Sequence, residues 1–378
     1  MDDSNQSAAR AAAGADSLEW NFTIMSRTSP WSVEQGMTQL LAHQNAEGFG
    51  PSLADAMQDD ARIIHELGQR ETPTAVAALR AYQAMSTVDT QRELARMHAD
   101  RLVRQGAPEP PWAATVGRVR VDGCWWAHDQ FGETAAVLCG FSYDGAHQHG
   151  ILAVIDRAIG GGLIRELLLG MDVDALLDIL HGGGDDGGEL VSEPLDAAYA
   201  RRLIEDAIAT SDEISENRQY KLRPLPVAYR KMRGLTLARA RALSDAPAPP
   251  EQFPTTVEIE LLKRAFLGSD ASAGLPTGEA TGRAVDLLVT QFVEQAACHP
   301  LQLGPRRVTA VLGLPGLASD AAEDPAVGRI LPDVARAWIS WSATERGLPL
   351  AAAERLDQAG RQACGQLRAA VAGGQESV

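Results

Sequence analysis

Lysine is nearly missing from this chain of 378 residues: only Lys221, Lys231 and Lys263 are present, and arginine carries the rest of the positive charge. Lys and Arg together number 34 against 50 Asp and Glu, a net charge of −16 that opposes general affinity for nucleic acid, because phosphate is repelled on average. No apolar run approaches the roughly 18 residues that cross a bilayer, so no membrane span is expected. Cysteine is scarce too. Cys124, Cys139, Cys298 and Cys364 are far apart and form no CxxC pair, which argues against a zinc ribbon or a thioredoxin-like centre and predicts reduced, partly buried thiols in the cytoplasm. The phosphate-loop pattern GxxxxGK[ST], the dinucleotide fingerprint GxGxxG, a serine nucleophile elbow and any fixed-period repeat are all missing.

What is present describes a globular protein. Apolar residues are 45% and charged residues 22% of a chain long enough for two or three cores. The preference for Arg over Lys, with abundant Ala and Gly, points to a GC-rich genome rather than to a binding function. The polar start, acidic at Asp2 and Asp3, is unlike a secretory signal and predicts a disordered lead over 1–28. From 29 to 105 the spacing is helical. Ser29-Pro30 and Thr72-Pro73 are cap-plus-proline starts, and Val76, Leu79, Tyr82 and Met85 share one face. Gly106 to Trp112, with three prolines, marks a boundary.

The stretch from Val116 to Leu180 reads differently. Val119 and Val121 alternate with arginines, Val137, Cys139 and Phe141 alternate toward one face, and Ile151 to Ile155 is a continuous apolar run suited to a strand covered on both sides. Asp122-Gly123 and Asp144-Gly145 read as turns. Leu163, Ile164, Leu167 and Leu168 have helical spacing, predicting a helix across the sheet, and a second helix holds Leu176, Leu177 and Leu180. The expected architecture is α+β, predominantly helical, with a small central antiparallel β-sheet and a helical C-terminal domain. The predicted segments are a helical one at 29–105, sheet plus helices at 113–181, a Gly/Asp linker at 182–193, a basic helical segment at 194–243, a Pro-rich linker at 244–254, a helical domain at 255–371 and a tail at 372–378.

Ala337-Trp338, Trp341 and Arg346-Gly347-Leu348-Pro349, with His149-Gly150, Asp156, Gly160-Gly161 and the run PLQLGPRRVTAVL, resemble an uncharacterised protein family of GC-rich, actinobacterial-type bacteria over about half the chain. The resemblance implies an architecture and no chemistry. Arg157 departs from its pattern, where a histidine or other polar residue is expected after Asp156.

Three stretches could carry function. His147 and His149 are two apart on an expected strand, and with Asp156 and Cys139 they could converge on a metal or a general base; His128-Asp129 could join them. The solvated-loop reading of these residues weighs more. The strand and glycines from Asp156 to Arg165 have the shape of an anion cradle but lack its Lys and Ser or Thr, and glycines more often mark close packing. The span 218–241, with Arg218, Lys221, Arg223, Arg230, Lys231, Arg233, Arg239 and Arg241, has no acidic residue and could meet an acidic partner or nucleic acid, or pair internally; the whole-molecule charge disfavours nucleic acid. Trp125 and Trp126 should point to opposite faces of a strand, and Trp338 and Trp341 should share a helix face. Together these readings predict a cytoplasmic, non-enzymatic protein-binding module, regulatory or defensive, with no cofactor. A metal-dependent enzyme or small-ligand site near His147, His149 and Asp156 is the alternative, followed by nucleic-acid binding through 218–241.

Overall fold

Thr72 shows how the sequence starts its helices. Its side chain accepts the Ala75 N–H at 3.1 Å, Pro73 follows at the first helical position, and the hydroxyl also reaches Glu19. Thr72→Ala is expected to destabilise the protein by about 1 kcal/mol in urea unfolding, the usual worth of such a cap. This computed structural model describes residues 11–19, 21–22, 29–44, 53–143, 146–158, 162–181, 191–216, 227–245, 254–295 and 298–375.

Helix α1 (11–19) lies inside the lead expected to be disordered. Ala15, Leu18 and Phe22 are buried, and Asp16 and Glu19 bind Arg70 at 2.6 and 2.7 Å. An alanine-rich, polar sequence hides the fact that every third or fourth residue packs. Helices α2 (Pro30–Gln44), α3 (Leu53–Gly68), α4 (Pro73–Met85) and α5 (Asp89–Arg104) complete a helical layer whose core includes Met37, Ile64, Leu67, Leu79, Tyr82 and Leu102.

A five-stranded antiparallel sheet follows, built from β1 (Arg120–His128), β2 (Thr134–Tyr143), β3 (Ala146–Asp156), β4 (Leu163–Gly170) and β5 (Val191–Pro194) in the order β4-β3-β2-β1-β5. Helix α6 (Val173–His181) covers one face through Leu176 and Leu180. Helices α7 (Ala197–Glu216) and α8 (Val227–Ala240) cover the other. Gly150 and Gly170, paired across β3 and β4, leave room for Leu176 to lie on the sheet.

Three expectations are corrected here. Leu163 to Gly170 is a strand, not a helix. Val154 pairs with Glu166 and Ile155 with Ile164, so Arg165 is an extra, bulged residue, and Ile164 and Leu167 pack into the same core although they are three apart. Asp122 is likewise a bulge inside β1 rather than a turn, its carboxylate taking the Ser142 hydroxyl at 3.0 Å. The expected linker 182–193 ends in β5, which pairs with β1, so the basic helical segment belongs to the sheet's own core. Asp144-Gly145 and Gly160-Gly161 lie outside the described residues, but the element after the glycines is a strand, so no helix N-terminus completes an anion cradle there.

The C-terminal region is helical: α9 (Thr256–Leu267), α10 (Glu279–Gln295), α11 (Pro305–Leu312), α12 (Pro315–Glu323), α13 (Pro325–Glu345) and α14 (Leu350–Gln375), with a short 3₁₀ turn at Asp270–Ser272. Trp338 and Trp341 share a face of α13 as expected, 5.1 Å apart and packed against Phe266. Helix α14 runs into the expected tail. Among the described residues no helix is long and apolar enough to cross a membrane.

Candidate functional site

Helix α2 begins PWSVEQGMT, and its spacing of three and four places Trp31, Glu34 and Thr38 on one buried face. That face meets the end of β2, the start of β3 and the last turn of α8. The result is a sealed polar cluster. Glu34, His149 and Arg239 are each at most 1% exposed, and Tyr143 is 5% exposed. Arg239 Nη2 lies 2.6 Å from Glu34 Oε2 and donates to the Tyr143 hydroxyl at 2.8 Å, while its Nε donates to His149 Nε2 at 2.8 Å. The other Glu34 oxygen accepts the Gly117 N–H at 2.6 Å. The guanidinium carbon lies 5.6 to 5.9 Å from the centres of the Trp31, Phe141 and Tyr143 rings. Arg239 Nη1 has no hydrogen-bond partner.

The tautomer of His149 follows from its neighbours. Nδ1 lies 3.0 Å from the His147 carbonyl and must donate to it, so Nε2 is the lone pair that receives Arg239. Burial, then the adjacent positive charge of Arg239, pushes the imidazole down to about 4, and it is neutral at pH 7. Burial also drives the Tyr143 phenol far above its usual value. The cluster has the perturbed groups of an active site, but they are committed to one another and closed to solvent.

Next to it is a cavity of about 270 Å³. Arg80, Gln83, Ala84 and Arg92 come to it from α4 and α5, Ala113, Val116, Gly117 and Arg118 from the turn before β1, and Ala238, Arg241 and Ala242 from the end of α8. Among the described residues four guanidinium groups and no carboxylate line it. Gly117 joins the two features, since its backbone N–H binds Glu34 while the residue lines the cavity.

The candidate metal residues are separated. His149 is buried on Arg239, while His147 is exposed with a left-handed φ of 52°. Cys139 faces Cys124 across β1 and β2, and both thiols are buried. Asp156 lies at the far end of β3 from His149, paired with Arg306 of α11. His128 stacks by Trp126, and Asp129 caps its loop by accepting from Phe131 N and Glu133 N, both at 2.9 Å. Among the described residues no group of three or more His, Cys, Asp or Glu is placed to hold a metal.

Asp156 instead helps join the sheet to the C-terminal helices. The buried Glu133 carboxylate accepts Arg306 N at 3.1 Å and Arg307 N at 2.6 Å, capping α11, and Arg307 extends back to the carbonyls of Arg157 and Ala158. The two arginines of the run PLQLGPRRVTAVL thus clasp the sheet to the C-terminal helices.

The basic stretch divides. Arg218, Lys221 and Arg223 lie outside the described residues. Arg233 is bound by Asp212 at 2.5 Å, and Arg230 and Lys231 are exposed on α8. Sequence reading missed Glu34, which looks like an ordinary surface acid of an amphipathic helix, and missed Arg80, Arg92 and Arg118, which no local pattern unites. The signal available was Arg239 and Arg241, two residues apart near a helix end in a chain short of cations. Comparison with protein-family models, with curated proteins and with solved structures finds no match to this chain.

Proposed function

We propose that this chain is a regulatory binding module, without catalysis of its own, that recognises a small anion in the arginine-lined cavity. One observation carries the reading: in a protein of net charge −16, four guanidinium groups from three parts of the chain line one cavity with no carboxylate among them. Arginine is suited to the task because its planar fork binds oxyanions in pairs of hydrogen bonds and stays charged at any physiological pH. Among the described residues the same lining includes no Ser, Cys, His, Asp or Glu that could act on a bound ligand, which supports recognition rather than turnover. A bound anion would tie α4, α5 and the turn before β1 to the end of α8, so occupancy would be felt by the helical layer and the sheet together.

Thermal unfolding tests this. At matched ionic strength, phosphate or succinate is expected to raise Tm relative to chloride, by an amount that reaches about 2.7 kcal/mol of stability at a hundredfold excess over Kd. Arg241→Met should abolish the increment while leaving the protein folded. An equal increment in that variant would place the anion elsewhere.

A second reading has its own support. Arg230 and Lys231 are exposed on α8 and, among the described residues, lack the internal pairs that bind Arg233 and Arg239, and they suit an acidic segment of a partner protein.

A further inference from the structure

The four arginines of the cavity are not equally free. Arg80 is held by Glu109 and, at 2.8 Å, by Asp100; Arg92 is held by Asp89. Among the described residues Arg118 and Arg241 have no carboxylate partner, and the Arg241 guanidinium gives a single hydrogen bond, to the Ala84 carbonyl at 3.1 Å. Burial, and after it the neighbouring charge of Arg92, lowers the Arg241 guanidinium to about 10, as expected of a cation short of counter-charge. Between the cations the walls are Ala84, Ala113, Val116, Ala238 and Ala242, which offer methyl groups and no side-chain hydrogen bond.

Resting on the anion reading above, the geometry points to a small phosphate monoester as the ligand, its phosphoryl group held by Arg92, Arg118 and Arg241 and its organic part lying along the alanine walls. The three arginines come from α5, from the turn before β1 and from the residues after α8, so their donors reach the cavity from separate sides. One fork saturates the two coplanar oxygens of a carboxylate, whereas a phosphoryl group has three strong acceptor oxygens that point apart and can take a donor from each side. Two unpaired guanidinium groups match its two negative charges. Size narrows the choice further. A single water needs only about 10–15 Å³ in this measure, so inorganic phosphate alone leaves most of the 270 Å³ wet. Sites for drug-sized ligands start near 300 Å³, which favours a few-carbon ester over a nucleotide.

The lining supplies its own control. Arg, Gln, Ala, Val and Gly are its residue types among the described residues, and none changes charge between about pH 5 and 9. A pH dependence of affinity in that range therefore comes from the ligand or from the carboxylates behind the lining that hold Arg80 and Arg92, namely Glu109, Asp100 and Asp89. The dianion of a monoester takes up a proton near pH 6, so a site selective for the dianion should bind about tenfold more weakly at pH 5 than at pH 7.5. The second carboxyl of a short dicarboxylate also titrates inside this range, so the order of affinities, not the pH profile, separates it from the monoester.

Isothermal titration of the full chain with glycerol 3-phosphate, phosphoserine, ribose 5-phosphate, inorganic phosphate and succinate, at pH 5 and 7.5, tests this. At least one monoester is expected to bind ten times or more tighter than inorganic phosphate, to weaken about tenfold at pH 5, and to be lost in Arg118→Gln/Arg241→Gln at unchanged Tm. If that pair loses Tm, Arg118→Gln alone, at an exposed position, should still weaken the monoester tenfold or more. Succinate binding at least as tightly as every monoester, or inorganic phosphate matching every monoester, would overturn the monoester assignment and leave the anion site standing. Binding of none of the five would overturn both.

Discussion

Arg239→Met is expected to destabilise the protein by about 3–5 kcal/mol in guanidinium unfolding at pH 7, the range found when one partner of a buried ion pair is removed. The cost does not measure the attraction between Arg239 and Glu34. It comes from leaving the Glu34 carboxylate at 0% exposure with the Gly117 N–H as its one hydrogen bond among the described residues, and from leaving the His149 lone pair without its donor. One further outcome follows from this. Adding Glu34→Gln should restore a good part of the loss, since the amide keeps an acceptor for Gly117 and removes the stranded charge. A single-variant cost below 1 kcal/mol would mean that the cluster is hydrated and the sealed geometry is wrong.

The same cluster marks where the sequence was readable and where it was not. Elements defined by local chemistry were legible: Thr72-Pro73 starts α4, Ser29-Pro30 starts α2, the alternation in β2 gives its buried face, and the apolar run of β3 is covered on both sides. The errors arise where a non-local partner overrides a local period. Arg165 bulges because β3 offers one position fewer than β4 fills, and the displaced side chains then imitate a helix. β5 has four residues and exists because β1 has a free edge. The candidate site was legible in fragments. His149, Arg233 and the stretch containing Arg239 were named from their types, but a histidine two residues from another suggested metal, whereas burial assigned one to Arg239 and left the other at the surface. The cavity draws on positions from 80 to 242, and no pattern within one helix could assemble it.

Acid should weaken the wild-type protein through His149 in a definite window. An unfolded histidine titrates near 6.5, whereas folding lowers His149 to about 4. Below 6.5 the unfolded chain therefore binds a proton that the folded protein refuses, and stability falls with pH. The contribution is fully present above 6.5, is lost progressively as the pH falls toward 4, and amounts to roughly 3 kcal/mol over the whole interval at 1.36 kcal/mol per unit of pKa shift. The groups facing the ring pull both ways, and the two largest influences lower its affinity for a proton. Arg239 on α8 opposes a second positive charge, and the burial of the ring against Trp31, Phe141 and Tyr143 disfavours any charge, while only the His147 carbonyl and the charge of Asp122 favour the cation. Glu34 is already engaged by Arg239. His98 and His299 are also pushed down by burial and add to the same slope, so the wild type alone does not isolate His149. The difference between wild type and His149→Gln does, since glutamine can still accept from Arg239 without titrating. Urea unfolding at pH 7 and pH 5 should show the wild type losing about 2 kcal/mol more than the variant, given the shift of His149 and the slope above. Equal losses would mean that His149 is protonated or solvated in the folded protein, and the Arg239 hydrogen bond to its ring would then have to be abandoned.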